Sequence, residues 1–197
     1  IQLPEPTPEN GVANKSGYKF VTEIGKERIR RAGDKIVADL EEKYKEQQGQ
    51  MLLPDDMKVM NPKDLDIGFK VFKLDSSNLR KWQPDTDNLE TSLFESIENF
   101  VEGRTELDVV YEIMLKYGID LTLPIEEYRV GDKKIFSVGM GALMICLDKE
   151  ITTDVAQEIV RLKGELQPEI MRVVFRDTGF KDDSAKTNTK EILRTNG

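Results

Sequence analysis

Residues 142–176 read ALMICLDKEITTDVAQEIVRLKGELQPEIMRVVFR and carry the clearest fold signal in the chain. The two ends of this stretch are short apolar runs of strand length, and residues 152–166 between them have helical periodicity. A strand that re-enters the same sheet after a crossover helix lies parallel to the strand before the helix. The stretch therefore predicts a strand–helix–strand unit with two parallel strands, as part of an α/β fold.

The sequence after this unit is a polar turn followed by a helix, DTGFKDDSAKTNTKEIL at residues 177–193. A phosphate-binding loop is excluded because Ser184 and Ala185 stand where its second glycine and its lysine are required. The three acids of the turn, Asp177, Asp182 and Asp183, permit a carboxylate metal site at the carboxyl end of a parallel strand. The alternative is a solvated turn followed by a helix capped at residues 188–191, and the composition favours this alternative.

The sequence before the unit predicts further elements of a small α/β domain. Residues 106–117 have the pattern of a helix, and Gly118 is placed to end it. Residues 128–138 predict a β-hairpin whose turn is Gly131-Asp132. The glycines of residues 139–142 indicate a hairpin corner rather than a dinucleotide-binding turn, because a strand follows them and a third glycine is missing.

The N-terminal part predicts a different arrangement. A long helix is expected over residues 17–47, between strands at residues 1–3 and 65–74. A further helix is expected over residues 87–101, and Trp82 with Pro84 marks a boundary. These elements predict two domains. Residues 1–83 complete a Rossmann-like sheet through a strand–helix–strand unit, and residues 84–197 form a small α/β domain.

The composition limits the classes of function. Of the 197 residues, 38% are hydrophobic and 34% are charged, and the net charge is −8. There is no histidine, which removes Ser-His and Cys-His catalysis, and the one cysteine, Cys146, lies in an apolar run typical of a buried thiol. No membrane span or signal peptide is present, so a cytoplasmic location is expected. The first residues resemble the end of a strand, which suggests a piece of a longer protein.

One segment of the long helix is locally basic. Residues 26–35 hold five bases and two acids, and Arg28, Arg31 and Lys35 lie on one flank of the helix. These three side chains are candidate contacts to DNA phosphates. The alternative is a solvated face that is paired internally, through Glu27 with Arg31 and through Lys35 with Asp39.

Four segments, in this order along the chain, resemble the C-terminal portion of the modification subunit of type III restriction-modification systems. They are QLPEP at residues 2–6, ERIRRAG at 27–33, GFKVFKLDSSN at 68–78, and RDTGFKDDS followed by KTN at 176–188. The resemblance spans nearly the whole chain. It implies a DNA methyltransferase that transfers a methyl group from S-adenosylmethionine to the N6 atom of adenine.

The resemblance also implies which parts of the site are present. The family's catalytic Asp-Pro-Pro-Tyr motif and glycine-rich cofactor loop precede these segments and do not occur here, so the chain alone is expected to be inactive. Gln2 or Glu5 takes the place of the acidic residue that binds the cofactor ribose in related enzymes. No catalytic residue or metal ligand is assigned.

The partners that the resemblance implies are DNA, the nuclease and helicase subunit of the restriction system, and a second modification subunit in a homodimer. An alternative function is a docking module for the restriction subunit or for the modification-subunit dimer. A third possibility, from the residues alone, is a metal-dependent enzyme that uses Asp177, Asp182 and Asp183.

Overall fold

A computed structural model of the chain describes residues 1–48, 60–79 and 100–196. The chain divides into two compact units, Ile1–Val71 and Phe72–Gly197. The described residues form a mixed α/β structure with five helices and one four-stranded sheet. The helices are α1 (Val12–Lys15), α2 (Val21–Gln48), α3 (Glu106–Lys116), α4 (Thr153–Leu166) and α5 (Asp183–Thr195). The strands are β1 (Ile125–Val130), β2 (Lys133–Val138), β3 (Leu143–Cys146) and β4 (Arg172–Phe175).

The sheet of the second unit has the strand order β1-β2-β3-β4. β1 and β2 are antiparallel, β2 and β3 are antiparallel, and β3 and β4 are parallel. The predicted strand–helix–strand unit is therefore confirmed, with α4 as the helix between the two parallel strands. The predicted hairpin is confirmed as β1 and β2.

The two turns of the sheet follow from their glycines. Gly131 has a φ of +60° and is followed by Asp132, the arrangement of a two-residue turn with glycine at its first position. Between β2 and β3, Gly139, Met140 and Gly141 have φ values of 60°, 56° and 90°. Glycine adopts this region without a Cβ penalty, so residues 139–142 form the predicted hairpin corner.

The core of the second unit covers both faces of the sheet. One face packs against α3 through Phe136, Val138, Leu143 and Ile145. Alternate residues of a strand point to opposite sides of a sheet, so both faces carry side chains. The side chains of the other face pack against α4 and α5. Its members are Ile135, Met144 and Cys146 from the strands, Val155, Ile159 and Leu162 from α4, and Leu193 from α5. The second unit is thus a three-layer structure with its own core.

Helix α3 begins and ends at strong local signals. Thr105 caps it, with the Thr105 side chain accepting from the Asp108 N–H and the Asp108 carboxylate accepting from the Thr105 N–H. Gly118 follows the helix with a φ of +67°. The predicted helix and its terminating glycine are both confirmed.

Helix α2 confirms the predicted long helix, but it begins later than expected. Gly17 has a φ of +96° and ends the short α1 segment, so the helix does not start there. The Glu23 carboxylate accepts hydrogen bonds from the N–H groups of Lys19 and Phe20, at 2.6 and 3.0 Å. These bonds satisfy donors just before the helix, which begins at Val21.

The two strands predicted in the N-terminal part are wrong. Ile1 and Leu3 are exposed, and residues 65–74 form no strand and pair with none among the described residues. The apolar alternation of residues 65–74 is real, but a strand also needs a hydrogen-bonded neighbour. The described part of the first unit contains no sheet, and a Rossmann-like fold is not confirmed. The predicted helix at residues 87–101, Trp82 and the predicted boundary at 83 and 84 lie outside the described residues, except for residues 100 and 101.

The first unit has almost no core of its own. Among its described residues, Thr7 is the one buried side chain, and the Thr7 hydroxyl donates to the Tyr18 carbonyl at 2.7 Å. No helix in the described ranges, in either unit, is long and apolar enough to cross a membrane.

Candidate functional site

The candidate site of the first unit lies along one side of α2. Arg28, Ile29, Ala32, Lys35 and Ile36 are all exposed and share this side, which we name the outer face of α2. Ile29 and Ile36 are 52% and 55% exposed. The outer face therefore combines an apolar stripe with basic side chains beside it, and contiguous exposed apolar surface is a feature of interaction sites.

The opposite side of α2 contacts the segment at residues 67–69 of the same unit. A Cβ atom at Gly33 would lie 3.4 Å from the Ile67 Cβ, so the glycine permits a close approach of that segment. The guanidinium carbon of Arg30 lies 5.8 Å from the centre of the Phe69 ring, within range of a cation–π contact. These contacts cover one side of the helix and leave the outer face open.

The three predicted DNA-binding residues differ in their partners. Arg31 Nε lies 2.8 Å from Glu27 Oε1, and this hydrogen bond raises the pKa of Arg31. Arg28 and Lys35 form no hydrogen bond or ion pair in the described structure, and the predicted Lys35–Asp39 pair is not formed there. Arg28 and Lys35 are thus the two cations of this flank that remain available to an anionic partner.

The two predicted cofactor residues lie in the N-terminal loop. Gln2 and Glu5 are exposed, and the Gln2 side chain donates to the carbonyl of the adjacent Leu3 at 3.3 Å. The Glu5 backbone carbonyl accepts from the Val21 N–H at 2.9 Å. Because no strand forms at residues 1–3, neither side chain stands at the carboxyl end of a strand. These two residues alone do not make a cofactor site.

The acidic turn after β4 is organised by its own residues. Asp182 is the N-cap of α5, and its Oδ1 accepts from the Ala185 N–H at 2.7 Å. Asp177 Oδ1 accepts from Lys186 Nζ at 2.6 Å. The helix therefore begins at Asp183, and the cap predicted at residues 188–191 is wrong. Within the described ranges, no group of three acidic or cysteine side chains is placed to hold a metal ion.

The glycine of this turn has a packing role. Gly179 is buried, and a Cβ atom there would overlap the carbonyl oxygen of Asp148. The Gly179 carbonyl accepts from the Ile151 N–H at 2.7 Å, and the Ile151 carbonyl accepts from the Lys181 N–H at 3.2 Å. The backbone that follows β3 and the backbone that follows β4 are thus joined at one point, which only glycine fits.

Arg176, which comes just before the turn, is a buried charged residue. Arg176 is 7% exposed, and its guanidinium carbon lies 4.8 Å from the centre of the Phe100 ring. Arg176 Nε donates to the Thr178 hydroxyl at 3.2 Å. These contacts fix the end of β4 and give the DTG motif a structural role.

Cys146 is a buried thiol, as its apolar sequence context predicts. It lies in β3 with no exposed surface, and burial raises its pKa to about 11. A thiol with this pKa is almost fully protonated at neutral pH, so it is a poor nucleophile.

No local pattern in the sequence indicates the role of Glu112. Its carboxylate accepts from the Ser77 hydroxyl at 2.6 Å and the Asn78 N–H at 2.7 Å, and it pairs with Lys116 Nζ at 2.8 Å. Burial raises the pKa of Glu112, but the hydrogen bonds from Lys116, Ser77 and Asn78 outweigh it together, so the pKa falls to about 2. Glu112 therefore fastens the segment at residues 76–79 to α3.

A small cleft lies between α4 and α5. Its volume is about 120 Å³, and it is lined mainly by apolar side chains such as Ile159, Met171 and Leu193. Pockets for cofactors are commonly about 300 Å³ or larger. Lys163, at its edge, donates to the Asn196 carbonyl at 2.8 Å. The cleft is too small to hold a molecule such as S-adenosylmethionine.

Among the described residues, the first unit therefore has an exposed helix face that is apolar and basic. The second unit has closely packed turns. No family model, no curated protein and no solved structure matches this chain.

Proposed function

We propose that this chain is part of a DNA adenine-N6 methyltransferase of a type III restriction-modification system, as the four resembling segments imply. The observation that supports the proposal is the first unit. Its described residues bury one polar side chain, while large apolar side chains stay exposed, among them Ile29 and Ile36 of α2 and Ile67, Phe69 and Val71. A 28-residue helix that buries almost nothing against the described residues of its unit is not a complete domain, which supports additional polypeptide as its cover.

The proposal assigns catalysis and most of the cofactor binding to that additional polypeptide. Gln2 and Glu5 remain candidates for the ribose contact only when a sheet forms around residues 1–3. The family's catalytic motif does not occur in this sequence, so the chemical step belongs to the additional polypeptide. The proposed DNA contact is the basic flank of α2 that borders the outer face, with Arg28, Arg31 and Lys35 facing phosphates.

The expected result in a methyl-transfer assay has two parts. With S-adenosylmethionine labelled in its methyl group and duplex DNA, this chain alone should transfer no label, because the catalytic residues lie outside it. The longer polypeptide that includes this chain should place the label on the N6 atom of adenine. Label transferred by the isolated chain would contradict the assignment of catalysis, and no label from the longer polypeptide would contradict the methyltransferase itself.

Substitutions on α2 test the DNA contact within the same assay. Changing Arg28 and Lys35 together to glutamine should raise the KM for DNA by about tenfold at moderate salt, because two phosphate contacts are lost. The matched control is Lys43→Gln with Lys45→Gln, which makes the same charge change at the exposed far end of the helix. Equal effects of the two double variants would show that the outer face makes no specific contact.

A second candidate function is docking of the restriction subunit or of a second modification subunit, favoured by the exposed Ile29 and Ile36 on the outer face. The same variants separate the two functions. If Arg28→Gln with Lys35→Gln leaves the KM for DNA unchanged but the restriction subunit no longer co-elutes, the outer face is a docking surface. Docking at this face is excluded if the restriction subunit co-elutes as before both with this variant and with a variant that carries Ile29→Ser and Ile36→Ser.

A further inference from the structure

Strand β1 lies at the edge of the sheet, and its outer side pairs with no strand in the described ranges. Val130 and Lys133 close the two-residue turn, so these two residues exchange hydrogen bonds with each other. Hydrogen-bonding direction alternates along a strand, so the even-numbered residues of β1 face β2. The Gly139 N–H donates to the Pro124 carbonyl at 3.0 Å, which agrees with this phase. The backbone groups of Ile125, Glu127 and Arg129 therefore point away from the sheet.

Exposed edges are commonly protected by charged residues, and β1 has three charged residues. In β1, however, the charges are complementary to those of a second β1. When two copies of β1 pair antiparallel about a two-fold axis, the residues whose backbone groups point away from each sheet must lie opposite one another. Centred on Tyr128, this pairing sets Glu127 opposite Arg129 of the second copy, and Arg129 opposite Glu127 of the second copy.

The neighbouring registers of this strand pair place like charges opposite one another. Centring on residue 126 or 127 sets a glutamate against the same glutamate of the second copy, and centring on 129 sets Arg129 against itself. Opposite charges on directly opposed residues stabilise a strand pair, and like charges destabilise it. Within each chain Arg129 already lies 2.7 Å from Glu127 on the same face of the sheet, so the four charged groups would form one alternating cluster. The charge pattern selects the register centred on Tyr128.

We propose that β1 is a self-association surface, at which a second copy of this chain adds its own β1 antiparallel and continues the sheet across a two-fold axis at Tyr128. The inference depends on the strand alone and not on the methyltransferase assignment. The contact consists of a few backbone hydrogen bonds and two pairs of charges, which is small beside the interfaces of permanent dimers. The dimer should therefore be weak and reversible.

The test is the molecular mass in solution by sedimentation, from about 1 µM to about 1 mM protein, a range that covers weak dimers. The mass should rise with concentration towards that of a dimer. Glu127→Arg and Arg129→Glu each set like charges opposite one another, and each should weaken association at least about tenfold. The double variant with both changes restores opposite charges and should recover the dimer, while circular dichroism checks that all variants fold.

A cysteine scan tests the register. Tyr128→Cys places two thiols opposite one another at the axis, close to the separation that a disulfide requires, and should give a crosslinked dimer on mild oxidation. Glu126→Cys is the control, because its thiols are offset by four residues and should not crosslink. The native Cys146 is buried and does not compete.

A mass that stays monomeric over the whole concentration range would overturn the proposal. A dimer that is insensitive to the charge changes, or that Glu126→Cys crosslinks in preference to Tyr128→Cys, would place the contact or the register elsewhere and would overturn it as well.

Discussion

Gly179→Ala should lower the free energy of unfolding of the second unit by about 3 kcal/mol, at the upper end of the cost of overpacking. The added methyl group would overlap the Asp148 carbonyl oxygen and would lie 3.0 Å from the Ile151 side chain. The obstructing atom is backbone, so no side-chain rotation relieves the contact. The backbone would have to separate, which would strain the hydrogen bonds between residues 151 and 179–181. Urea denaturation measures the change.

The matched control is Gly164→Ala, at an exposed position in α4 where a Cβ atom would meet nothing within 4 Å. Alanine favours a helix over glycine by about 1 kcal/mol, so this variant should be more stable than the natural chain. The same chemical change should therefore have opposite signs at the two positions. A Gly179→Ala variant as stable as the natural chain would show that the corner is not packed as described.

Glu112→Gln should cost about 2 kcal/mol at neutral pH, in the range of hydrogen bonds to a charged group. The amide has a single acceptor oxygen, so it cannot accept from both Ser77 and Asn78 while pairing with Lys116. Hydrogen exchange should show that residues 76–79 lose protection while β2 and β3 keep it. Glu102→Gln, an exposed carboxylate without such contacts, is the control and should change stability little.

The effect of Glu112 should depend on pH. Its pKa in the folded chain is about 2, against an ordinary value near 4.5, so its contribution is complete above pH 4.5 and is lost as the pH falls towards 2. The stability gap between the natural chain and Glu112→Gln should narrow by about half between pH 6 and pH 3. A gap that stays constant over this range would show that the carboxylate is not held by these hydrogen bonds.

The second unit could be predicted well because its signals are local. Gly131-Asp132, Gly118 and the apolar runs around Cys146 each specify a turn, a helix end or a strand within a few residues. The order of these elements then fixes which strands are antiparallel and which are parallel. Asp182 also carries a readable N-cap signal, because Asp is preferred at that position, but Asn188 with Glu191 has a competing capping-box spacing.

The errors arise where a structure depends on residues distant in sequence. The alternation of residues 65–74 is compatible with a strand, but it does not reveal whether a neighbouring strand exists. Glu112 binds residues that are 34 and 35 positions earlier, and no local pattern signals this. The close contact at Gly179 with Asp148 is also non-local, so the glycine could be read only as part of a polar turn.

For the candidate site, the sequence correctly placed Arg28, Arg31 and Lys35 on one flank of a helix. It could not show that Arg31 is paired while Arg28 and Lys35 are not. Pairing depends on rotamers, and both i,i+4 pairs looked equally good in the sequence. Nor could it show that Ile29 and Ile36 lie exposed beside these cations, because the apolar face was expected to cover a sheet.

We propose that the described residues of the first unit depend on additional polypeptide for a core, whereas the second unit has a core of its own. Amide hydrogen exchange along the chain tests this claim most directly, because exchange rates report the opening free energy of each segment. We expect the amides of β2, β3 and α4 to be protected at least about a hundredfold more than those of α2, since most of the stability of a helix in a protein comes from tertiary packing of its apolar face. Protection of α2 equal to that of β2 and β3 would contradict the account.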